Sequence, residues 1–285
     1  MAIPAYVTWN IDPEIFSIGE RGIRWYGALL ALGFYLSFLV LSKILAKDGF
    51  PEKKINTVSI YLIIGTILGL RLGHCFFYEP LYYLNNPGEI LMVWKGGLAS
   101  HGGAAGILLV IALFAWRNKL SYLAMLDRVV VIVPLAGAFV RLGNLMNSEI
   151  VGKTTDVAWA FYFPRYDCAP PYDCDVGMIT PRHPSQLYEA FFYILLFVFM
   201  FVLFTRMKTR LKEGTLLGIF LILLFGFRFL IEFVKDVQVD FEQEMTIKMG
   251  QILSIPFILA GIVIVLASMK WGRRIDFTVF LKKGT

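Results

Sequence analysis

Seven long apolar runs occupy most of the 285-residue chain, and they limit the fold more than any other feature of the sequence. They lie at 25–45, 55–78, 98–116, 129–148, 185–205, 214–234 and 250–269. Because a bilayer core about 30 Å thick needs roughly 20 apolar residues per helix, each run is long enough to cross a membrane. The 58% hydrophobic and 17% charged content is also untypical of a soluble domain. The sequence therefore predicts an all-α integral membrane protein with about seven transmembrane helices, folded as one polytopic domain over residues 1–285.

The connections between the runs alternate in their content of lysine and arginine. Those after the first, third, fifth and seventh runs carry 16 such residues, whereas the N-terminal lead and the other connections carry 8. Since cytoplasmic loops are enriched in Lys and Arg, the N-terminus is predicted outside and the C-terminus in the cytoplasm. The longest polar connection, 149–183, would then form a small extracytoplasmic head between spans four and five. The net charge of +6 is thus a sign of topology, and no basic stripe predicts nucleic-acid binding.

Three cysteines are too few for a disulfide framework or a zinc site, so no metal and no cofactor is predicted. Cys75 lies inside the second run and is predicted to be a packing residue. Cys168 and Cys174 lie in the outward head, where an oxidising compartment would permit a disulfide bond. The sequence leaves this bond open, because it does not give the distance between the two Cβ atoms.

Six of the seven runs contain polar residues that the topology places in the outer half of the bilayer. These are Tyr26, Arg71, His74, His101, Arg141, Asn144, Glu189, Arg228 and Glu232. Placing an ionisable side chain at such depth in the bilayer costs at least about 2.5 kcal/mol of free energy. A cluster of such residues therefore indicates either that they pair with one another or that they have a function. Arg228 and Glu232, spaced i,i+4, could neutralise each other as a structural pair. Alternatively, the arginines could surround a bound anion.

Two motifs lie in this layer. RLGNLMNSEIVG, at 141–152, supplies Arg141, Asn144, Asn147, Glu149 and Gly152. GGLASHGGAAG, at 96–106, surrounds His101 with small residues that either form a helix-packing surface or let a substrate approach. Arginine binds phosphate through two N–H groups, and a neutral imidazole can accept a proton near pH 7. The motifs together predict group transfer from an anionic phospholipid. A transporter or flippase for such a lipid is the alternative, and it would need polar residues through both leaflets.

Five sequence blocks also carry a resemblance to a known family. RWYG, SHGGAAG, RLGNLMNSEIVG, RHPSQLYE and MGQILSIP occur in this order and resemble the prolipoprotein diacylglyceryl transferases of bacteria over nearly the whole chain. The resemblance implies transfer of the diacylglyceryl group of phosphatidylglycerol to the lipobox cysteine thiol of a prolipoprotein signal peptide. Glycerol phosphate would leave and a thioether would form, as the first step of lipoprotein maturation. A multi-pass protein of the bacterial cytoplasmic (inner) membrane is implied, with its active site toward the outer leaflet and no cofactor.

The resemblance also implies roles for individual residues. It makes Arg141 the phospholipid-binding residue and His101 the base, with Arg228 as a second catalytic cation. Together with the polar layer, it gives a substrate-binding set of Arg141, Tyr26, Asn144, Asn147, Glu149, Gly152, Glu189 and Glu232. The chain departs from the family pattern at Leu224, where some relatives carry Tyr, so this chain has no phenol at that position. Lys235, where relatives often carry Arg, is a milder departure that keeps the charge.

Overall fold

The helices of the chain follow the apolar runs closely. The computed structural model describes residues 6–19, 21–92, 96–97, 99–172, 176–207, 210–237, 242 and 245–274. Its helices are α1 (Trp25–Lys47), α2 (Glu52–Phe77), α3 (Pro80–Asn85), α4 (Ser100–Asn118), α5 (Tyr122–Met146), α6 (Pro164–Asp167), α7 (Ser185–Met207), α8 (Thr215–Ile231) and α9 (Met249–Trp271). Among the described residues, 6 helices are long and apolar enough to cross a membrane: α1, α2, α4, α5, α7 and α9. The apolar helix α8 is shorter, with 17 residues. The prediction of a mostly helical membrane protein is confirmed.

Short strands, which the sequence analysis did not predict, precede α1 and run through the polar connection after α5. They are β1 (Val7–Thr8), β2 (Glu14–Ile18), β3 (Arg21–Arg24), β4 (Phe161–Tyr162) and β5 (Pro181–Arg182). Strand β4 lies between β1, to which it is parallel, and β5, to which it is antiparallel. Strands β2 and β3 form an antiparallel hairpin that leads directly into α1. Part of the N-terminal lead is therefore tied to the head by backbone hydrogen bonds.

The chain divides into two compact units. The first comprises 1–40 and 130–273, and the second comprises 41–129 and 274–285. In the first unit, the end of α5 and the head share a small apolar core of Leu145, Val151 and Phe163, against which Trp9, Phe161 and Leu187 pack. The indole N–H of Trp9 donates to the carbonyl oxygen of Leu145 at 2.9 Å. This core fixes the polar residues at the end of α5 against the head.

In the second unit, α2 and α4 pack through facing glycines. A Cβ atom at Gly73 would lie 2.7 Å from the Cα of Gly102, and one at Gly102 would overlap the carbonyl oxygen of Gly69. Gly106 makes the same kind of contact with the backbone of Gly65. Such contacts let two helices approach to backbone distance, which is the usual role of small residues spaced by four in membrane helices. The packing interpretation of the 96–106 motif is confirmed, and it leaves the role of His101 open.

Two buried arginines of the second unit have structural partners. Arg128 lies 2.6 Å from Asp48, and their side chains are 3% and 0% exposed. This pair lies in the part of α5 that precedes the apolar run, since the helix begins at Tyr122. Arg71 donates to the carbonyl oxygens of Glu89, Ile90 and Gly96 at 2.6, 3.0 and 2.6 Å. Arg71 therefore fastens the connection between α2 and α4.

Candidate functional site

Arg141, in the last turns of α5, interacts with the side chains of Glu189, Asn144 and Tyr193. Its Nη2 atom lies 3.2 Å from Oε1 of Glu189, which belongs to α7. Its Nη1 atom donates to Oδ1 of Asn144 at 3.3 Å. The Arg141 side chain is 13% exposed and that of Glu189 only 1%. A buried carboxylate therefore orients the guanidinium of a side chain that is not completely enclosed.

The two asparagines of the 141–152 motif converge on Glu149. Oε1 of Glu149 accepts hydrogen bonds from Nδ2 of Asn144 at 2.8 Å and from Nδ2 of Asn147 at 3.1 Å. Helix α5 ends at Met146, so Asn147 and Glu149 lie on the turn that follows. This turn folds back and brings three separated polar residues of the motif together.

The turn has an unusual backbone. Ser148 and Ile150 have φ angles of 52° and 58°, in the left-handed region that residues other than glycine rarely adopt. The first turn of α7 holds it in place: Gln186 donates to the carbonyl oxygen of Glu149 and Ser185 donates to that of Ile150, both at 2.7 Å. Strained backbone of this kind persists only where surrounding contacts determine it, and it concentrates at functional sites.

The polar residues that α5, its following turn and α7 bring together form one group. We call it the Arg141 cluster, and it consists of Arg141, Asn144, Asn147, Glu149, Gln186 and Glu189. All of these except Gln186 belong to the predicted binding set. Gln186 lies three residues before Glu189, so both side chains lie on one face of α7, and the sequence predicts that either could orient the arginines.

Gly152, also in the predicted set, lies in a tight backbone crossing. Its N–H donates to the carbonyl oxygen of His183 at 2.9 Å, and it forms a β-bridge with Lys235. A Cβ atom at this position would lie 2.5 Å from the Cβ of His183 and 3.1 Å from the carbonyl oxygen of Val234. Close packing is thus a sufficient reason for glycine here.

Glu232 joins the Arg141 cluster through a residue that the predicted set did not include. The Nζ atom of Lys235 lies 3.3 Å from Oε1 of Glu232 and 3.7 Å from Oε1 of Glu189. Within the described residues, Glu232 pairs with Lys235 and Arg228 forms no ion pair, so the predicted Arg228–Glu232 pair is not formed. Burial lowers the pKa of Lys235, and the two carboxylates oppose this shift. The spacing Glu232-x-x-Lys235 was the sequence signal for this residue.

Tyr26 and Tyr193 border the Arg141 cluster. The Tyr26 ring packs on α5 at Gly143, where a Cβ atom would lie 2.7 Å from Cδ2 of the ring. Tyr26 interacts electrostatically with Glu149 and Arg141, and Tyr193 with Arg141, Glu189 and Arg228. Tyr193 was not predicted, although it lies one helical turn after Glu189.

His101 belongs to the second unit and is described there on its own. It lies in the first turn of α4 and is exposed. Its ring meets that of Phe77 edge to face, with centroids 5.2 Å apart, and that of Tyr78 at 5.9 Å. The aromatic rings support the imidazole from the end of α2 and leave it accessible for proton transfer.

The head is held by a second charged network. Arg182 lies 2.9 Å from Asp167 and 2.6 Å from Asp236, and its guanidinium lies over the Tyr166 ring. Burial raises the pKa of the Tyr166 phenol and lowers that of the His183 imidazole. Because Arg182 is paired with both Asp167 and Asp236, this network has a structural role: it joins the segments that carry these three residues.

The predicted cysteine bond falls partly outside the described residues. Cys168 is disulfide-bonded and Cys75 is a buried free thiol. Cys174 lies outside the described residues. The part of the chain that the structure covers contains no group of three or more His, Cys, Asp or Glu side chains able to hold a metal ion.

Comparisons with known proteins agree on one family. The family model described as prolipoprotein diacylglyceryl transferase matches residues 13–267. The phosphatidylglycerol–prolipoprotein diacylglyceryl transferase of Chloroherpeton thalassium is 42% identical over 95% of this chain and 97% of its own. The proteins of the same name from Tolumonas auensis and Bacteroides fragilis are 44% and 41% identical, over 92% and 90% of this chain and 97% and 93% of their own.

Proposed function

Because the chain belongs to the prolipoprotein diacylglyceryl transferase family, we propose that its Arg141 cluster binds the phosphate of phosphatidylglycerol during transfer to a prolipoprotein cysteine. The protein is a phosphatidylglycerol–prolipoprotein diacylglyceryl transferase that acts in lipoprotein maturation. We propose how the residues of this chain perform that activity on the cysteine thiol of the prolipoprotein.

The proposed reaction is a displacement at the glyceryl carbon bonded to the phosphate oxygen. The sulfur of the lipobox cysteine forms a bond to that carbon while the carbon–oxygen bond breaks. The thiol proton passes to a base, and the phosphate leaves as glycerol phosphate with the electron pair of the broken bond. A free thiol with a pKa near 8.5 is only a few per cent ionised at neutral pH, so a base assists the attack.

The orientation of Arg141 is the observation that carries the proposal. Its guanidinium is fixed by Glu189 at 3.2 Å and Asn144 at 3.3 Å, and the Arg141 side chain as a whole is 13% exposed. A planar guanidinium held in place can bind two phosphate oxygens and stabilise the charge that builds up on a leaving phosphate. Arg228, half-buried and near Tyr193, supplies a second cation for the same charge.

We assign the remaining site residues by their contacts. Glu149 fixes the amides of Asn144 and Asn147, and Asn144 in turn orients the Arg141 guanidinium toward the lipid headgroup. Tyr26 closes one side of the Arg141 cluster, Glu189 and Glu232 balance its cations, and Gly152 keeps its backbone crossing tight. His101, exposed on α4, is the proposed base for the cysteine thiol.

The proposed topology has seven spans, with α8 as the sixth. The N-terminus is outside, the C-terminus is cytoplasmic, and residues 149–183 form an extracytoplasmic head within a single domain. The distribution of lysine and arginine supports this arrangement in the bacterial inner membrane. The reaction would then take place toward the outer leaflet.

A reconstituted assay tests the proposal. Purified protein in phosphatidylglycerol liposomes is mixed with a synthetic lipobox peptide, and the mass of the peptide is followed. We expect a diacylglyceryl-sized mass increase that Arg141→Ala abolishes. Arg206→Ala, at an exposed position near the end of α7, is the matched control and should be as active as the native protein.

A second arm tests the base. His101→Asn should lower turnover far more than it lowers lipid binding, measured as the dependence of rate on phosphatidylglycerol content. Equal losses in both, or none in either, would contradict the role of His101. A folded Arg141→Ala protein that still forms the thioether at the native rate would contradict the role of the Arg141 cluster. A protein that binds the lipid but yields no product would instead favour a lipid-transport function.

A further inference from the structure

Glu189 is a buried carboxylate that faces two cations. Its Oε1 atom lies 3.2 Å from Nη2 of Arg141 and 3.7 Å from Nζ of Lys235. Neither of its carboxylate oxygens has a hydrogen bond of good geometry. A carboxylate removed from water needs compensating positive charge, and here the compensation is shared between two residues.

Lys235 is placed for this contact by its backbone as well as by its charge. Its side chain is 4% exposed and lies 3.3 Å from Glu232. Its backbone bridges to Gly152, and its carbonyl oxygen accepts a hydrogen bond from Nζ of Lys248 at 2.6 Å. The ammonium group therefore has little freedom to leave the space between Glu189 and Glu232.

Sharing Glu189 has a consequence for Arg141. With Lys235 present, part of the negative potential of Glu189 is offset, so Arg141 is held less strongly than in an isolated pair. Without Lys235, Glu189 would depend on Arg141 alone, and the net charge around the guanidinium would fall by one unit. Both changes disfavour the approach of an anionic phosphate, because charges interact strongly at low effective dielectric constant.

We propose that Lys235 is a positioning residue for phospholipid binding: it shares the Glu189 carboxylate with Arg141 and thereby leaves the guanidinium available to phosphate. This role rests on the proposed function of the Arg141 cluster. Lys235 acts through Glu189 and does not itself touch the lipid.

The test measures the rate of thioether formation against phosphatidylglycerol content for four proteins. Lys235→Met should raise the KM for phosphatidylglycerol about tenfold or more, the effect of one unit charge at short range, with a much smaller change in kcat. Lys235→Arg restores the charge and should return KM close to the native value. Lys153→Met, at an exposed lysine, is the matched control and should leave both constants unchanged.

The fourth protein is the double variant Lys235→Met/Glu189→Gln, in which the unpaired carboxylate is also removed. We expect its KM to be well below that of Lys235→Met, because Arg141 is no longer held by an uncompensated charge. If the single variant does not fold, this charge-balanced protein carries the test. Thermal unfolding and gel filtration identify which proteins are folded.

The outcomes separate this role from the function on which it rests. If Lys235→Met lowers kcat by the same factor as it raises KM, Lys235 has only a structural role and the proposal is overturned. The proposal is also overturned if neither Lys235→Arg nor the double variant restores KM. Arg141→Ala with a native KM would overturn the proposed function of the Arg141 cluster, and this proposal with it. A raised KM in Arg141→Ala together with a native KM in Lys235→Met would overturn the role of Lys235 alone.

Discussion

Arg141 and Glu189 lie 3.2 Å apart on different helices, α5 and α7, and this ion pair orients the guanidinium of the Arg141 cluster. The planar fork is what distinguishes arginine from lysine at such a site, since only the fork can hold two oxygens in a fixed geometry.

Arg141→Lys keeps the positive charge and loses the planar guanidinium, whose two N–H groups can bind two phosphate oxygens at once. We expect turnover to fall by about tenfold to a hundredfold, the usual effect of one lost charged hydrogen bond of 1.5–3 kcal/mol. The rate of thioether formation at saturating phosphatidylglycerol measures this, with Arg206→Lys as the control. Native turnover in Arg141→Lys would show that a point charge is sufficient.

Ser148→Gly should stabilise the protein. Ser148 has a φ of 52°, and its buried hydroxyl has no hydrogen-bond partner. Glycine removes both costs, so the free energy of unfolding should rise by about 1 kcal/mol after allowing for the greater entropy of unfolded glycine. Ser148→Ala removes only the hydroxyl and should gain less in the same unfolding titration. Equal stability of the two variants would contradict a backbone cost at this position.

Gly102→Ala should separate α2 and α4. The added Cβ would overlap the backbone of Gly69 and lie 2.7 Å from the Cα of Gly73, and backbone atoms cannot move aside as side chains do. We expect a loss of about 1–3 kcal/mol in the free energy of unfolding, typical of overpacking. Gly88→Ala, with nothing within 4 Å of the new atom, is the matched control and should show a much smaller change.

The charge on Lys235 should make lipid binding sensitive to alkaline pH. Burial lowers its pKa, so it loses its proton at a lower pH than an exposed lysine does. The groups that face it are Glu189, Arg141, Glu232 and Arg228. As the ammonium becomes neutral with rising pH, the KM for phosphatidylglycerol should rise, and this rise should begin at a lower pH than the ordinary lysine pKa of about 10.4 would give.

Lys235→Arg supplies the comparison for this pH series. Its guanidinium stays charged throughout, so the KM should remain flat over the same range. An equal rise in both proteins would assign the pH dependence to another group.

The sequence predicted the helices well because each is encoded by a local apolar run. The boundaries differ where charged residues find distant partners. Helix α5 begins at Tyr122 and not near Val129: the Ser121 hydroxyl accepts a hydrogen bond from the backbone N–H of Ala124 in the first turn, and the buried Arg128 pairs with Asp48, which was not predicted. Helix α8 ends at Ile231, before the end of its apolar run, and the chain then turns so that Lys235 bridges to Gly152.

The candidate site was predictable in composition but not in pairing. The 141–152 motif identified Asn144, Asn147 and Glu149, but the turn that folds Glu149 back onto both amides has left-handed backbone at Ser148 and Ile150, which the motif spacing did not predict. The partner of Glu232 was not predictable, because both Arg228 and Lys235 lie within one turn of it along the chain and only the structure selects Lys235. The two-residue strands escaped prediction because β1 and β4 are more than a hundred residues apart and because β4 and β5 pair over only two residues each, too few for a sequence pattern.

The glycine contacts between α2 and α4 also determine how freely His101 can move. The neighbouring residue, Gly102, is locked against the backbone of α2, so the main chain that carries the imidazole cannot slide or tilt without breaking that contact. The ring can change its orientation only by rotating about its own two side-chain torsions, and the rings of Phe77 and Tyr78 lie beside it. If His101 accepts the thiol proton as proposed, the thiol has to approach an imidazole whose main chain stays in place.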